Sequence, residues 1–301
     1  MTTLPAPTAY QTIFNTMRLK QFVWVFALAA LALSSCGGAQ QSKETPTQAQ
    51  AEPEKPKAVP PKNEAHKVVL DMVAANGGTD AFYGLKDVAY KYTYKNPDGS
   101  VDISFEKYIF EGEYSYAEYS TRGVFVFPDT DGSVTMGYDG KSTWCILNGE
   151  EVTDSAAVKM ADFLRKTNYY WFAMMFKLAD PGLNYELLDP QTIDGQAYDV
   201  VKVTFNDGVG DVKDVYVLYV NKATQLVDQF LFTVMDFGME NPLLMKVEYQ
   251  DVAGVKVPKY RKYTQSNWNA EVLADVWVEN YFEEVKFNNG FTPAQLSKPQ
   301  I

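Results

Sequence analysis

The sequence has little histidine and cysteine, and this scarcity excludes several kinds of catalytic and metal site. Its 301 residues include one histidine, His66, and two cysteines, Cys36 and Cys145. A metal site with several histidines, or a catalytic triad containing one, would have to use His66 alone, which we interpret as a surface residue of the first helix. Cys145 stands between two large apolar residues and is predicted to be a buried strand residue rather than a nucleophile.

The sequence also lacks the local motifs on which common enzyme chemistry depends. No Gly-x-Ser-x-Gly elbow, phosphate-binding glycine loop, His-Glu-x-x-His or Cys-x-x-Cys occurs in it. Short acidic clusters, such as Asp129 with Asp131, fall at hairpin turns and lack the closing glutamate of a calcium loop. We therefore expect that the protein is not an enzyme and that it uses no cofactor and no metal ion.

Positive charge is in short supply as well. The 27 basic residues are outnumbered by 38 acidic ones, which gives a formal net charge of -11. An acidic surface repels a phosphate backbone and gains nothing from anionic lipid headgroups. We expect no nucleic-acid partner and no electrostatic attachment to a membrane.

Long apolar runs are absent too, but the first apolar run has the form of a secretion signal. Arg18 and Lys20 form a short basic region, and Phe22–Ala32 follows as an apolar stretch. Leu33–Cys36 then reads Leu-Ser-Ser-Cys, the lipobox pattern in which the cysteine is lipidated and becomes the new N-terminus. The alternative is a transmembrane anchor, which the short run and the missing basic cluster behind it disfavour. We predict lipidation at Cys36.

This motif also predicts the location of the protein. Residues 1–35 would form the signal peptide, with translation starting at Met1 or at Met17. Gly37–Gly38, rather than aspartate, follow the cysteine, and the sorting rule of some Gram-negative envelopes then favours the outer membrane, facing the periplasm. Residues 36–63 are rich in polar residues and proline and contain no aromatic residue, so they are predicted to be a disordered tether.

The remaining sequence is typical of one folded domain at 64–292, with a tail at 293–301. Hydrophobic residues make up 46% and aromatic residues 14% of the chain, enough for a substantial core with β structure. A helix is predicted over Glu64–Ala75, and short alternating segments follow between turns such as Asn96–Gly99. Gly123–Phe127 is among the predicted strands. The pattern indicates a mainly β fold with a few helices, as an open barrel or a sandwich.

The main interruption of the strand pattern is a helical segment between Asp154 and Gly182. Its centre, Tyr169–Phe176, is uncharged and apolar on nearly every face, so one side must contact something besides the sheet. Core packing and the lining of an apolar cavity are both compatible with this pattern. A second apolar segment, Met235–Leu244, is predicted to lie between strands, at a cavity mouth or as a cap. The candidate ligand-binding residues are Phe163, Tyr169, Tyr170, Trp171, Phe172, Met174, Met175, Phe176, Phe237 and Met239.

Several segments carry a resemblance to a known family. They are the lipobox, Tyr138–Trp144, Tyr198–Val203, Tyr216–Asn221 and Tyr249–Pro258. Together they resemble outer-membrane lipoprotein-sorting proteins of the LolA/LolB type and, more narrowly, an uncharacterised family of bacterial lipoproteins with that fold. The resemblance implies an open antiparallel half-barrel of about eleven strands, closed by helices around a cavity for acyl chains. The carriers' early Arg-Pro pair is missing here, and Arg122 is its candidate replacement.

Two functions of different classes follow from these observations. The first is a non-catalytic module, tethered to the membrane through its N-terminal lipid, that binds a lipid or the acyl chain of a lipoprotein. The second is a structural or protein-interaction lipoprotein of the envelope with a fully packed barrel and no ligand. In either case the sequence predicts a monomer.

Overall fold

The computed structural model of the protein describes residues 60–128, 130–209 and 213–300. The predicted signal peptide, Cys36 and most of the predicted tether lie outside these ranges, so those assignments stay predictions. Within the described ranges, no helix has the length and apolarity that a membrane crossing requires.

Antiparallel strands make up most of the described chain. The helices there are α1 Glu64–Ala75, α2 Thr79–Gly84, α3 Ser155–Lys177 and α4 Pro293–Leu296. The strands, β1 to β13 in chain order, are Asp87–Lys95, Val101–Ile109, Tyr114–Arg122, Val134–Tyr138, Thr143–Leu147, Glu150–Glu151, Leu183–Ile193, Gln196–Phe205, Tyr216–Asn221, Val227–Val234, Met239–Val252, Val255–Gln265 and Val278–Phe287. Two short 3-10 turns lie at Glu111–Glu113 and Met235–Phe237.

All the described strands belong to one sheet. Its 13 strands have the order β6-β5-β4-β3-β2-β1-β13-β12-β11-β10-β9-β8-β7. Neighbours in the sheet are neighbours in the chain except at the centre, where β1 pairs with β13. β6 and β7 are the two outer strands, and no described pairing joins them, so the sheet is open. The predicted fold class is confirmed, with 13 strands in place of the expected number.

Helix α3 connects the two outer strands of the sheet and therefore has to cross one of its faces. It begins where the Asp154 side chain accepts hydrogen bonds from the backbone N–H groups of Ala156 and Ala157. Its 23 residues span about 35 Å at 1.5 Å per residue. The helix also contacts α1 and α2, so this helix pair is what the apolar stretch meets besides the strands.

The predicted strand Gly123–Phe127 is wrong, because side chains take the hydrogen bonds that a sheet would need. Its first three backbone N–H groups donate to the buried Asp102 carboxylate at 2.7, 2.9 and 2.9 Å. The Arg122 guanidinium donates to two carbonyl oxygens of this segment and to those of Thr130 and Gly132. Arg122 therefore holds a loop, and its guanidinium is occupied there.

His66 is buried, so its interpretation as a surface residue is wrong. Only 4% of the residue is exposed. Its ring stacks on Tyr185 of β7 with the centroids 4.5 Å apart, and its Nδ1 accepts the backbone N–H of Lys62 at 3.0 Å. Burial, with a smaller effect of Lys62, lowers the pKa of His66. The edge of the apolar stripe on α1, where His66 lies, therefore packs against β7.

Two further expectations concern single strands. The apolar segment expected between strands lies partly within one, because β11 already begins at Met239 and only Met235–Phe237 forms a turn. Cys145 is 1% exposed in β5, as predicted, and burial raises the pKa of its thiol to about 11. A thiol that stays protonated at neutral pH is a poor nucleophile.

The predicted tail begins with α4, whose Leu296 is fully buried.

Candidate functional site

The candidate ligand-binding residues of α3 separate into a buried and a partly exposed group. The buried group consists of Tyr169, Phe172, Met174, Met175 and Phe176, each at most 5% exposed. Phe172 stacks on Tyr90 of β1 at 4.6 Å, and Phe176 stacks on Phe82 of α2 at 4.1 Å. These side chains fill the space between the helices and the sheet, as core residues do.

The partly exposed group consists of Phe163, Tyr170 and Trp171, together with Phe237 and Met239 outside the helix. Phe163 contacts Phe237 edge to face at 4.9 Å, so the structure brings these two predicted residues together. Tyr170 contacts Tyr216 of β9 at 6.0 Å. Met239 packs against the edge of the main core. Ligand binding by any of these residues stays a prediction.

Trp171 belongs to a continuous row of aromatic side chains, the aromatic track, formed by Phe125, Tyr94, Tyr263, Phe232 and Trp171. Along it, Phe125 meets Tyr94 at 5.0 Å, Tyr263 meets Phe232 at 5.7 Å, and Phe232 meets Trp171 at 5.0 Å. The Tyr94 and Tyr263 hydroxyls share a hydrogen bond of 2.5 Å. All members except Phe232 are partly exposed. The track thus forms a row from Phe125 to Trp171 in which four of the five rings are accessible to solvent.

Arg261 of β12 lies at the inner end of the aromatic track. It is 1% exposed, and its guanidinium carbon lies 5.6 Å from the ring centre of Trp171, 6.0 Å from Phe230 and 5.9 Å from Phe282. Its Nε, Nη1 and Nη2 atoms have no hydrogen-bond partner among the described residues. Attraction to aromatic faces offsets part of the cost of burying the charge, but it supplies no acceptor for the N–H groups.

The titratable groups with the largest electrostatic effect on Arg261 are neutral and therefore do not balance its positive charge. Burial lowers the pKa of Arg261 to about 10, and the nearby groups with the largest effect are Tyr249, Tyr92 and Tyr170. Burial also raises the pKa of each of these tyrosines, so they are neutral at pH 7. The guanidinium itself keeps its proton at pH 7. The interior therefore holds a cation among neutral aromatic groups.

Arg261 was not among the residues that sequence reasoning selected, although the sequence contains a signal for it. Side chains alternate between the two faces of a strand, so Arg261 shares its face with Tyr263, which packs against the main core. Val255 and Val257, earlier in β12, are fully buried, but a register shift separates them from Arg261, and Lys259 between them is exposed. The alternation that would mark Arg261 as buried is therefore short.

A buried carboxylate connects α3 to the sheet at a different place. Glu106 of β2 is 1% exposed and accepts hydrogen bonds from Ser104 at 2.6 Å, Tyr108 at 2.7 Å and Asn168 of α3 at 3.0 Å. Burial raises the pKa of Glu106, whereas the three hydrogen bonds act in the opposite direction. In the described ranges, no group of three or more His, Cys, Asp or Glu side chains is placed to hold a metal ion.

A shallow cleft lies where β12 and β13 diverge. The two strands pair only from Tyr260 to Tyr263, and the Gln250 side chain bridges the gap beyond by donating to the carbonyl oxygens of Pro258 and Phe282 at 3.0 and 2.8 Å. The cleft has a volume of about 370 Å³ and is lined by Glu248, Gln250, Lys259, Tyr260, Tyr281, Phe282 and Glu283. Phe282 also contacts Arg261, so it separates the cleft from the buried cation.

Comparison with known proteins gives a partial family match and distant structural matches. Residues 131–240 match a family described as a family of unknown function, DUF6503. No curated protein matches the sequence. Among solved structures, a LolA superfamily protein from Nitrosomonas europaea is 11% identical, with a TM-score of 0.46 over 78% of this chain and 97% of its own.

Two further solved structures have similar scores. A domain from Vibrio parahaemolyticus described as an outer membrane lipoprotein-sorting protein is 10% identical, with a TM-score of 0.44 over 76% of this chain and 94% of its own. A DUF1329 family protein from Desulfovibrio piger is 12% identical, with a TM-score of 0.45 over 78% and 98% of the two chains. The expected resemblance to lipoprotein-sorting proteins is thus confirmed as a distant likeness of fold, which carries no information about a ligand.

Proposed function

We propose that the protein is a membrane-tethered lipoprotein of the cell envelope that binds a hydrophobic ligand, a lipid or the acyl chain of a lipoprotein, without catalysing a reaction. The observation that carries this proposal is the aromatic track, whose rings continue from Phe125 to Trp171 and are all partly exposed except Phe232. Partly exposed apolar side chains in a continuous row are a common feature of ligand grooves.

An acyl chain is the ligand that suits such a row. Each methylene that leaves water for an apolar surface gains about 0.8 kcal/mol, so a chain lying along several rings gains enough to offset its own ordering. The rings are already held by contacts with one another, such as the hydrogen bond between Tyr94 and Tyr263. Little order has to be imposed on the protein when the chain binds.

The cellular setting in this proposal comes from the sequence. The lipobox ending at Cys36 and the glycines behind it support a lipid anchor in the outer membrane, with the domain facing the periplasm. The antiparallel sheet can fold within a single chain, and this supports a monomer.

A structural or protein-interaction lipoprotein without a ligand is the second candidate. The observation in its favour is the dense packing of Phe172, Met174, Met175 and Phe176, each at most 2% exposed. If the rest of the interior is equally filled in solution, the aromatic track is the edge of the core and serves only stability.

Titration with a neutral acyl probe separates the two candidates. The full chain carrying Cys36→Ser is titrated with the methyl ester of parinaric acid, and we expect saturable binding with a change in tryptophan emission, because Trp171 lies on the aromatic track. Trp171→Phe should lose the change, whereas Trp144→Phe, which packs on Tyr116 outside the track, should keep it. Absence of saturable binding contradicts the proposed function and favours the structural candidate.

A further inference from the structure

We propose that Arg261 is an anion-binding residue and that the hydrophobic ligand carries a single negative charge in its head group, which pairs with the Arg261 guanidinium while the acyl tail follows the aromatic track. This inference rests on the proposed function, since it specifies the chemical class of the same ligand.

In the described part of the chain, the Arg261 guanidinium lacks the partners that usually replace water around a buried charge. An isolated charge that is removed from water costs several kcal/mol unless a counter-charge and hydrogen bonds replace the water. Arg261 has neither among the described residues, although it is 1% exposed. A carboxylate or a phosphodiester oxygen pair supplies both at once, because the planar fork of arginine donates two parallel hydrogen bonds to such groups.

The surroundings of Arg261 determine how many negative charges a ligand can carry there. The groups with the largest electrostatic effect on Arg261 are Tyr249, Tyr92 and Tyr170, which are neutral at pH 7. One cation among neutral groups is balanced by one negative charge, and a second charge on the ligand would stay unpaired in an apolar surrounding. Head groups with one negative charge therefore fit this place, and those with two or more do not.

Arg261 lies next to Trp171, the last ring of the aromatic track. Trp171 is partly exposed, and its ring also lies 5.6 Å from the guanidinium carbon. A single side chain thus contacts both Arg261 and Phe232, the next member of the track. Phe232 in turn contacts Tyr263, so a ligand with its head at Arg261 has its tail on the track. The protein thus places a cation beside a row of apolar rings, and this order matches the charged head and apolar tail of an anionic amphiphile.

The test compares an acid with its ester on the full chain carrying Cys36→Ser. Parinaric acid and its methyl ester share their acyl chain and differ by one negative charge. We expect wild-type Arg261 to bind the acid at least about tenfold more tightly than the ester, a difference of about 1.4 kcal/mol. Arg261→Met should lose this preference, binding both probes with the affinity of the ester. Arg261→Lys, which keeps the charge without the fork, should keep part of it.

A matched control lies beside Arg261 on the same strand. Lys262 points to the opposite face, where its Nζ lies 4.7 Å from the ring of Trp277. Lys262→Met removes one positive charge, as Arg261→Met does, and should leave the preference for the acid unchanged. Arg261→Met should also fold, because it replaces a buried unpaired charge by an apolar side chain of similar length. A thermal midpoint at or above that of wild type checks this.

Competition distinguishes the two sources of a singly charged head. Palmitate carries a carboxylate and lysophosphatidylglycerol a phosphodiester, and displacement of parinaric acid by either, but not by uncharged monopalmitin, supports the inference and identifies the head group. Equal binding of acid and ester by the wild type overturns the inference and leaves the proposed function intact. Binding of neither probe overturns both.

Discussion

At the scale of single residues, two of the buried ionisable groups have opposite surroundings. Glu106 is surrounded by donors, since Ser104, Tyr108 and Asn168 all bond to its carboxylate. Arg261 is equally buried and has no bonded partner among the described residues. A group with a full set of partners contributes to the fold, whereas a group without them costs stability and is retained for another reason, for which ligand binding is the proposal.

Glu106 should make stability depend on pH. Burial raises its pKa above the ordinary value of 4.5, so between 4.5 and the folded pKa the folded protein binds a proton that the unfolded chain releases. The free energy of unfolding therefore falls as the pH rises through this window. Glu106→Gln should reduce this slope in denaturant unfolding measured from pH 4 upward, whereas Glu118→Gln, at an exposed position of β3, should keep it. Equal slopes in wild type and Glu106→Gln would contradict the prediction.

The sequence predicted few of these residue-scale features, because each depends on contacts between distant parts of the chain. His66 is buried by Tyr185, which lies more than a hundred residues away, and no helical pattern contains that contact. The alternation of β12 links Arg261 only to Tyr263, because a register shift and the exposed Lys259 interrupt the pattern after Val257. Arginine is rarely buried without a partner, so its residue type did not predict that Arg261 lies in the core.

At the scale of elements, α3 is one helix with two kinds of surroundings. Its C-terminal half is enclosed by the sheet and by α2, and Phe176 stacks on Phe82 there. Trp171, on another face, stays partly exposed beside Phe232. The apolar composition of Tyr169–Phe176 was compatible with core packing and with cavity lining, and the structure gives this segment a densely packed part and a partly open one.

Phe176→Ala should therefore act on stability. Truncating a buried phenylalanine typically costs about 3–5 kcal/mol, and Phe176, at 1% exposure and stacked on Phe82, has no space into which its neighbours can relax. Urea unfolding followed by circular dichroism measures the loss. Leu187→Ala, at a position 48% exposed, should cost less than about 1 kcal/mol. A loss of that small size for Phe176→Ala would show that its surroundings are loosely packed and would return this residue to the candidates for cavity lining.

The strands were predicted well where turns and alternation are local, as in β1 with the turn at Asn96–Gly99. The prediction failed at Gly123–Phe127, whose alternating apolar residues are typical of a strand. Its backbone N–H groups bond instead to Asp102, about twenty residues earlier in the chain. A side chain that competes for backbone hydrogen bonds from such a distance leaves no signal in a short sequence window.

At the scale of the whole molecule, charge and anchoring belong to one argument. A net charge of -11 repels an anionic membrane surface, so electrostatics cannot hold the protein there. The same charge repels an anionic amphiphile in solution, and the buried cation at Arg261 is where such a ligand would be attracted. The proposed binding of an anionic amphiphile by an acidic envelope protein therefore requires both a covalent anchor and a local cation, for which Cys36 and Arg261 are the candidates.

The predicted membrane anchor depends on lipidation of Cys36. If the lipobox is used, a metabolically incorporated palmitate analogue should label the wild type, and the protein should fractionate with membranes. Cys36→Ser should lose the label and move to the soluble fraction. Cys145→Ser is the matched control and should change neither, because the Cys145 thiol is 1% exposed in β5 and its pKa is raised to about 11, so it is not available for acylation. A wild type that takes no label, or a Cys36→Ser protein that keeps it, would mean that Cys36 is not the lipidated residue, and the lipoprotein assignment would then be wrong.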